Sequence, residues 1–253
     1  MKNFILFLFL LFLLAGCQST KMVPGLYWEQ LTYKVSSEGD TSKINQKLFL
    51  IPNRLRTEVS TDYADSFTII QLDSQIALRG NPIDSSYSRT TFEEITKSQE
   101  LRKENVRRMR AQMDTLPPNL RRLMEMDMGV KWQPEIYAVI ETGEKKNISG
   151  LNCEKFIVTN RDSLEGEYWV TNDLGSMDQY GKDWLAIMEK TMSLIVFEKF
   201  KMLYEKGFIV ASEIKGTHLL VTKVEKKLLP DNLFYVPEYY NFIQTVTRRQ
   251  SSN

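Results

Sequence analysis

The chain has 253 residues, enough for one large or two small domains with a buried core, and its 42% hydrophobic and 11% aromatic content argues for a folded protein. Lys and Arg number 33 against 32 Asp and Glu, so no overall field draws the chain to nucleic acid. Two cysteines and one histidine leave a disulfide scaffold, a Cys/His zinc site and most histidine-based catalytic triads without their parts.

The first feature in chain order is an export signal. Lys2 supplies a positive start, and residues 4–14 are an unbroken run of eleven apolar residues, which is signal-peptide length and short of the ~20 a spanning helix needs. The run closes on Leu14-Ala15-Gly16-Cys17, where small residues precede a cysteine, a pattern that resembles a bacterial lipobox. Residues 1–16 are therefore expected to be removed, Cys17 to be lipidated, and residues 17–25 to tether a folded body at 26–247. Several acyl chains make a lasting anchor where one is marginal. Gln18 and Ser19, in place of an acidic residue after Cys17, favour the periplasmic side of the outer membrane. Once Cys17 carries lipid, Cys153 has no intramolecular partner and is a buried free thiol or an intermolecular bridge.

Residues 26–91 read as short β-rich runs at 26–35, 47–51, 55–60, 66–72, 75–78 and 85–91, broken by turn residues at 37–40, 52–53, 62 and 79–82. Such spacing predicts an antiparallel meander or barrel. At 48–51 and 67–72 the apolar residues are nearly continuous, so either both sheet faces are covered or the register is obscured.

The period changes at Phe92. Phe92, Ile95, Gln99, Val106, Met109 and Met113 fall at helical spacing with charged residues opposite, predicting an amphipathic helix that ends before Pro117-Pro118. A second helix, 118–128, starts on a proline and offers Met124, Met126 and Met128 as a soft surface. Together these form a helical insertion at 92–128. Arg102, Lys103, Arg107, Arg108, Arg110, Arg121 and Arg122 crowd it, either as a patch for anionic headgroups or as a solvated face. Strands return at 136–142, 147–149, 153–160 and 166–171. A long helix follows at 178–204 with Trp184, Met188 and Met192 on its apolar face. A hairpin spans 208–214 and 217–228, and an aromatic, irregular end covers 235–247.

Three segments resemble an uncharacterised family of secreted and lipid-anchored bacterial proteins that share a domain of unknown function. They are Leu116-Pro117-Pro118-Asn119-Leu120-Arg121-Arg122, then Gly150-Leu151-Asn152-Cys153-Glu154-Lys155-Phe156 with Glu167-Tyr168-Trp169-Val170, and Leu233-Phe234-Tyr235-Val236-Pro237-Glu238-Tyr239. Leu120 stands where the family commonly has glutamine, and Glu238 where it has glycine. The resemblance implies a fold similar to the lipoprotein carriers LolA and LolB, an α+β half-barrel in which a strongly curved, unclosed antiparallel sheet holds helices on its concave face.

No serine-hydrolase elbow, Cys-x-x-Cys, phosphate loop or His-Glu-x-x-His motif occurs, and His218 has no catalytic neighbours in sequence. The expectation is a non-enzymatic envelope lipoprotein, with no catalytic residue, metal or cofactor. By analogy of fold it binds a lipid or acyl chain near Met109, Met113, Met124, Trp184, Met188 and Met192. The alternative is a structural or interaction lipoprotein whose half-barrel is filled, acting through an envelope protein partner. A continuous cavity of ~300 Å³ or more favours the first and a filled face the second.

Overall fold

The computed structural model describes residues 20–35, 41–128, 136–161, 163–174, 179–192 and 194–244. The export signal, Cys17 and the turn expected at 37–40 lie outside these residues. The strands in chain order are β1 (Met22–Val35), β2 (Thr41–Ile51), β3 (Arg54–Thr61), β4 (Asp65–Gln71), β5 (Ile76–Asn81) and β6 (Ser86–Thr91), then β7 (Tyr137–Ile148), β8 (Leu151–Asn160), β9 (Ser163–Thr171), β10 (Phe208–Ile214), β11 (Thr217–Pro230) and β12 (Asn241–Phe242). Helices α1 (Phe92–Asp114) and α2 (Pro118–Met128) separate β6 from β7, and α3 (Gln179–Thr191) and α4 (Leu194–Tyr204) separate β9 from β10.

Among the described residues all strands join one sheet in the order β12-β6-β5-β4-β3-β2-β1-β11-β10-β9-β8-β7, antiparallel except for the short β12–β6 pair. The two ends do not meet, so the curved sheet is an unclosed half-barrel. Register shifts at Glu29/Gln30, Glu141/Lys145, Val158/Thr159 and Ile209/Ala211 supply local bends, since an extra residue on one strand bends it and increases its twist.

The continuous apolar runs are strands buried on both faces. Leu48, Leu50, Leu55 and Ile70 pack with Leu26, Trp28, Phe92 and Ile187 on the helix side. The alternating residues Ile51, Phe67, Ile69 and Leu78 pack with Leu229 and Phe234 on the other. That second face is covered by the chain after β11. Arg56 donates to the Leu233 carbonyl at 3.0 Å, the Gln71 amide to the Phe234 carbonyl at 2.7 Å, and Arg54 to the Tyr235 hydroxyl at 2.6 Å. The aromatic end of the chain therefore closes a core.

Several expected elements differ. Strand β2 starts at Thr41 where 47 was expected, and the break expected at 79–82 comes after Asn81, because Arg79, Gly80 and Asn81 pair with β6. The strands expected at 136–142 and 147–149 are one strand, β7, carried past Gly143 at φ 77° by a bulge. The single helix expected at 178–204 is two, α3 and α4. Near the break the Thr191 hydroxyl bonds back to the Ile187 carbonyl at 2.7 Å, the local competition that weakens helices at Ser and Thr.

Candidate functional site

An apolar cleft lies where α3 and α4 meet β1, β2 and β10. Helix α3 rests on β2 and β3 because Asp183, buried on its sheet side, accepts the Asn53 backbone N–H at 3.1 Å. Asn53 sits in the β2–β3 turn at φ 64°, a conformation asparagine tolerates. From the other side the Gln99 amide of α1 donates to the Met192 carbonyl just past the end of α3, at 2.6 Å. Helix α4 ends on Gly207, whose N–H reaches the Leu203 and Tyr204 carbonyls at 3.2 Å each. A side chain there would put its Cβ 2.4 Å from the Thr171 carbonyl oxygen, so only glycine lets the chain turn into β10 against β9.

The cleft is small because aromatic rings fill it. Trp184 of α3 meets Trp28 of β1 edge-on with centroids 5.3 Å apart, Tyr204 of α4 at 6.1 Å and Phe208 of β10 at 6.4 Å, and Trp28 meets Phe208 at 5.3 Å. Edge-to-face pairs of this kind add to the area they bury. What remains beside Leu26, Leu50, Tyr180 and Leu185 is a cavity of about 40 Å³. Burial pushes the Tyr204 hydroxyl up to about 12, and the neighbouring Trp184 indole acts against that rise through a side-chain hydrogen bond.

Of the six side chains expected to line a ligand site, Trp184 lines this cleft. Met188 packs against the same core from the next turn of α3, and Met192 is half-buried at its end. Met113 is fully buried near the C-terminus of α1, with Met109 and Met124 half-buried. None of these three lines the cleft. Leu26, Leu50, Tyr204, Gly207 and Phe208 went unmarked in the sequence because they come from separated elements.

The remaining candidates find ordinary partners. His218 stacks on Tyr33 at 4.7 Å with Glu213 at 3.7 Å. Cys153 is a free, buried thiol that burial pushes up, the reverse of activation. In the basic insertion Glu104 pairs with both Arg107 and Arg108, and Arg121 donates to the Met113 and Leu116 carbonyls at 3.1 Å, closing the end of α1. A second, open groove of about 460 Å³ has a mixed lining that includes Lys145, Lys146, Asn152, Cys153, Val170 and Asp173, and Lys145 there is paired with Glu154 at 2.9 Å. Among the described residues no group of three His, Cys, Asp or Glu is placed to hold a metal, and no helix is long and apolar enough to cross a membrane.

No curated protein sequence matches the chain. Among solved structures, an uncharacterised conserved protein of Thermus thermophilus aligns over 86% of this chain and 90% of its own, at 6% identity and a TM-score of 0.43. MucB in complex with MucA aligns over 87% of this chain at 10% identity and a TM-score of 0.37, and the match spans 57% of MucB. An outer-membrane lipoprotein-sorting protein domain of Vibrio parahaemolyticus aligns over 84% and 89%, at 7% identity and 0.27. The family model of a domain of unknown function, DUF4412, matches residues 118–240 of the chain.

Proposed function

We propose that this chain is a non-enzymatic protein of the bacterial cell envelope, anchored through lipid on Cys17 to the periplasmic side of the outer membrane. Its half-barrel is filled by its own side chains, and it acts through its outer surface on a protein partner. The observation that carries the filled-core reading is the size of the cleft. Its volume of about 40 Å³ falls far below the ~300 Å³ at which ligand pockets begin, and four aromatic rings occupy the rest. The anchor is supported by the apolar run at 4–14 and the Ala15-Gly16-Cys17 sequence. The absence of enzymatic activity is supported by the apolar lining of the cleft and by the partners of His218 and Cys153.

Two mass-spectrometric measurements test the reading. The intact mature protein should begin at Cys17 with acyl chains attached, and solvent extracts of the purified protein should contain no stoichiometric lipid. It should also leave the emission of a fluorescent fatty acid unchanged. One lipid per chain in the extract, or saturable uptake of the fatty acid, would overturn the filled-core reading in favour of an acyl-chain carrier. An unmodified Cys17 would overturn the anchor.

A further inference from the structure

Four residues separate Cys17 from the start of β1, and Cys17 to Met22 spans at most roughly 17 Å however the chain runs. No slack follows, because the Lys21 carbonyl accepts the Asp231 N–H at 2.8 Å, fixing this point of the chain to the end of β11. Met22 pairs with Pro230 and Pro24 with Leu228, so these four side chains share one sheet face at the end of the β1–β11 ribbon. Beyond the helices that end is apolar and open: Met22 is 49% and Leu228 58% exposed. Lys21 and Lys226 are exposed around it, while Lys227, on the opposite sheet face, lies over the Tyr27 ring at 3.7 Å and pairs with Glu225.

We propose that this end of the ribbon is a membrane-contact edge, with Met22, Pro24 and Leu228 resting in the interface of an anionic bilayer and Lys21 and Lys226 facing its headgroups. The inference rests on the Cys17 anchor. A tether this short holds the edge close to the membrane, and apolar side chains flanked by lysine are the chemistry that suits an anionic lipid surface. Strand β1 then stands away from the bilayer, its 14 residues rising about 43 Å to Val35. The mouth of the aromatic cleft at Leu26 and Trp28 lies near the membrane. The turn between β3 and β4, with Tyr63, lies at the far end, because Ile44 near the far end of β2 pairs with Thr61.

The test uses the full acylated protein in vesicles of phosphatidylethanolamine and phosphatidylglycerol. An environment-sensitive fluorophore is placed on Leu228→Cys, on Tyr63→Cys or on Leu123→Cys of α2. Acylation blocks Cys17, and Cys153 is buried from the label. Spin-labelled lipid should quench position 228 several-fold more than position 63, with a blue shift at 228 alone. The combined Lys21→Glu and Lys226→Glu variant should lose much of that quenching, and retention of it would overturn the choice of an anionic surface. Acylated, vesicle-bound protein whose position 228 is quenched no more than position 63 overturns the contact edge while leaving the anchor intact. Stronger quenching at 123 does the same and would put the basic α1–α2 hairpin on the membrane. A mass spectrum with unmodified Cys17 overturns both readings together.

Discussion

Removing one oxygen from Tyr168 is expected to make the fold more stable. The ring is fully buried on β9, edge-on to Phe200 of α4 at 5.8 Å, yet its hydroxyl has no hydrogen-bond partner among the described residues. An unbonded buried hydroxyl costs ~1–3 kcal/mol. Tyr168→Phe removes that cost and keeps the ring, its edge contact and nearly all its buried area. The oxygen takes with it a handful of dispersion contacts at ~0.1–0.2 kcal/mol each, leaving a net gain of ~1–2 kcal/mol. Tyr168→Ala, which also empties the ring's space beside Leu203 and Phe156, should lose ~3–5 kcal/mol. Urea unfolding reads both, as shifts of the midpoint at unchanged slope. If Tyr168→Phe were less stable than the parent by ~1 kcal/mol or more, the hydroxyl would have to be bonded, and the picture of a dry core under α4 would fail.

The same burial sets an alkaline limit. Tyr204 ionises near 10 when unfolded and at about 12 when folded, so its contribution to stability is complete below pH 10 and is lost as pH rises through 12. Tyr204→Phe should flatten that limb of a stability-against-pH curve, and an unchanged limb would remove this side chain as its cause. Gly80→Ala should cost ~1–3 kcal/mol, because its Cβ would lie 2.0 Å from the Phe67 ring, which Arg56 and Tyr240 hold in place at 4.5 and 5.5 Å. Part of that loss should return in the double variant Gly80→Ala, Phe67→Leu, and strict additivity in urea titrations would refute the clash. Thr91→Ala should lower stability by ~1 kcal/mol, since the hydroxyl caps the Glu94 N–H at 3.2 Å while the Glu94 carboxylate takes the Thr91 N–H at 2.7 Å. Cys17→Ser should abolish incorporation of labelled fatty acid, and residual labelling would show that lipid is attached elsewhere.

Legibility in the sequence followed the range of the contacts involved. On α1 the residues at helical spacing from Phe92 to Met113 are those drawn toward the protein, because a local period decides which side of a helix is apolar. The continuous runs at 48–51 and 67–72 left open whether both faces of the sheet are covered or the register is obscured, and the structure shows the first. They could not say by what, since the second cover is Phe234 and its neighbours, some 160 residues downstream of Gln71. The cleft was the least legible part. Its walls come from five elements, and the methionines of α1 and α2 carry the same apolar signal whether they line a cavity or pack a helix. The capping box Thr91-Phe92-Glu93-Glu94 was present as a local signal at the start of α1 and went unread.

Whether the half-barrel can hold a guest reduces to one side chain. The face of the sheet away from the helices is closed by the segment running from Leu229 to Tyr240, and the apolar cleft lies under α3 and α4. Helix α3 cannot lift as a body without releasing Asp183 from Asn53 and Met192 from Gln99, two bonds at its opposite ends. A guest must therefore enter with α3 in place, and the room it needs is the room Trp184 occupies between Trp28, Tyr204 and Phe208. Entry of a ligand and departure of Trp184 are then one event. While the indole stays where it is, the cleft offers about 40 Å³, far below the ~300 Å³ at which ligand pockets begin.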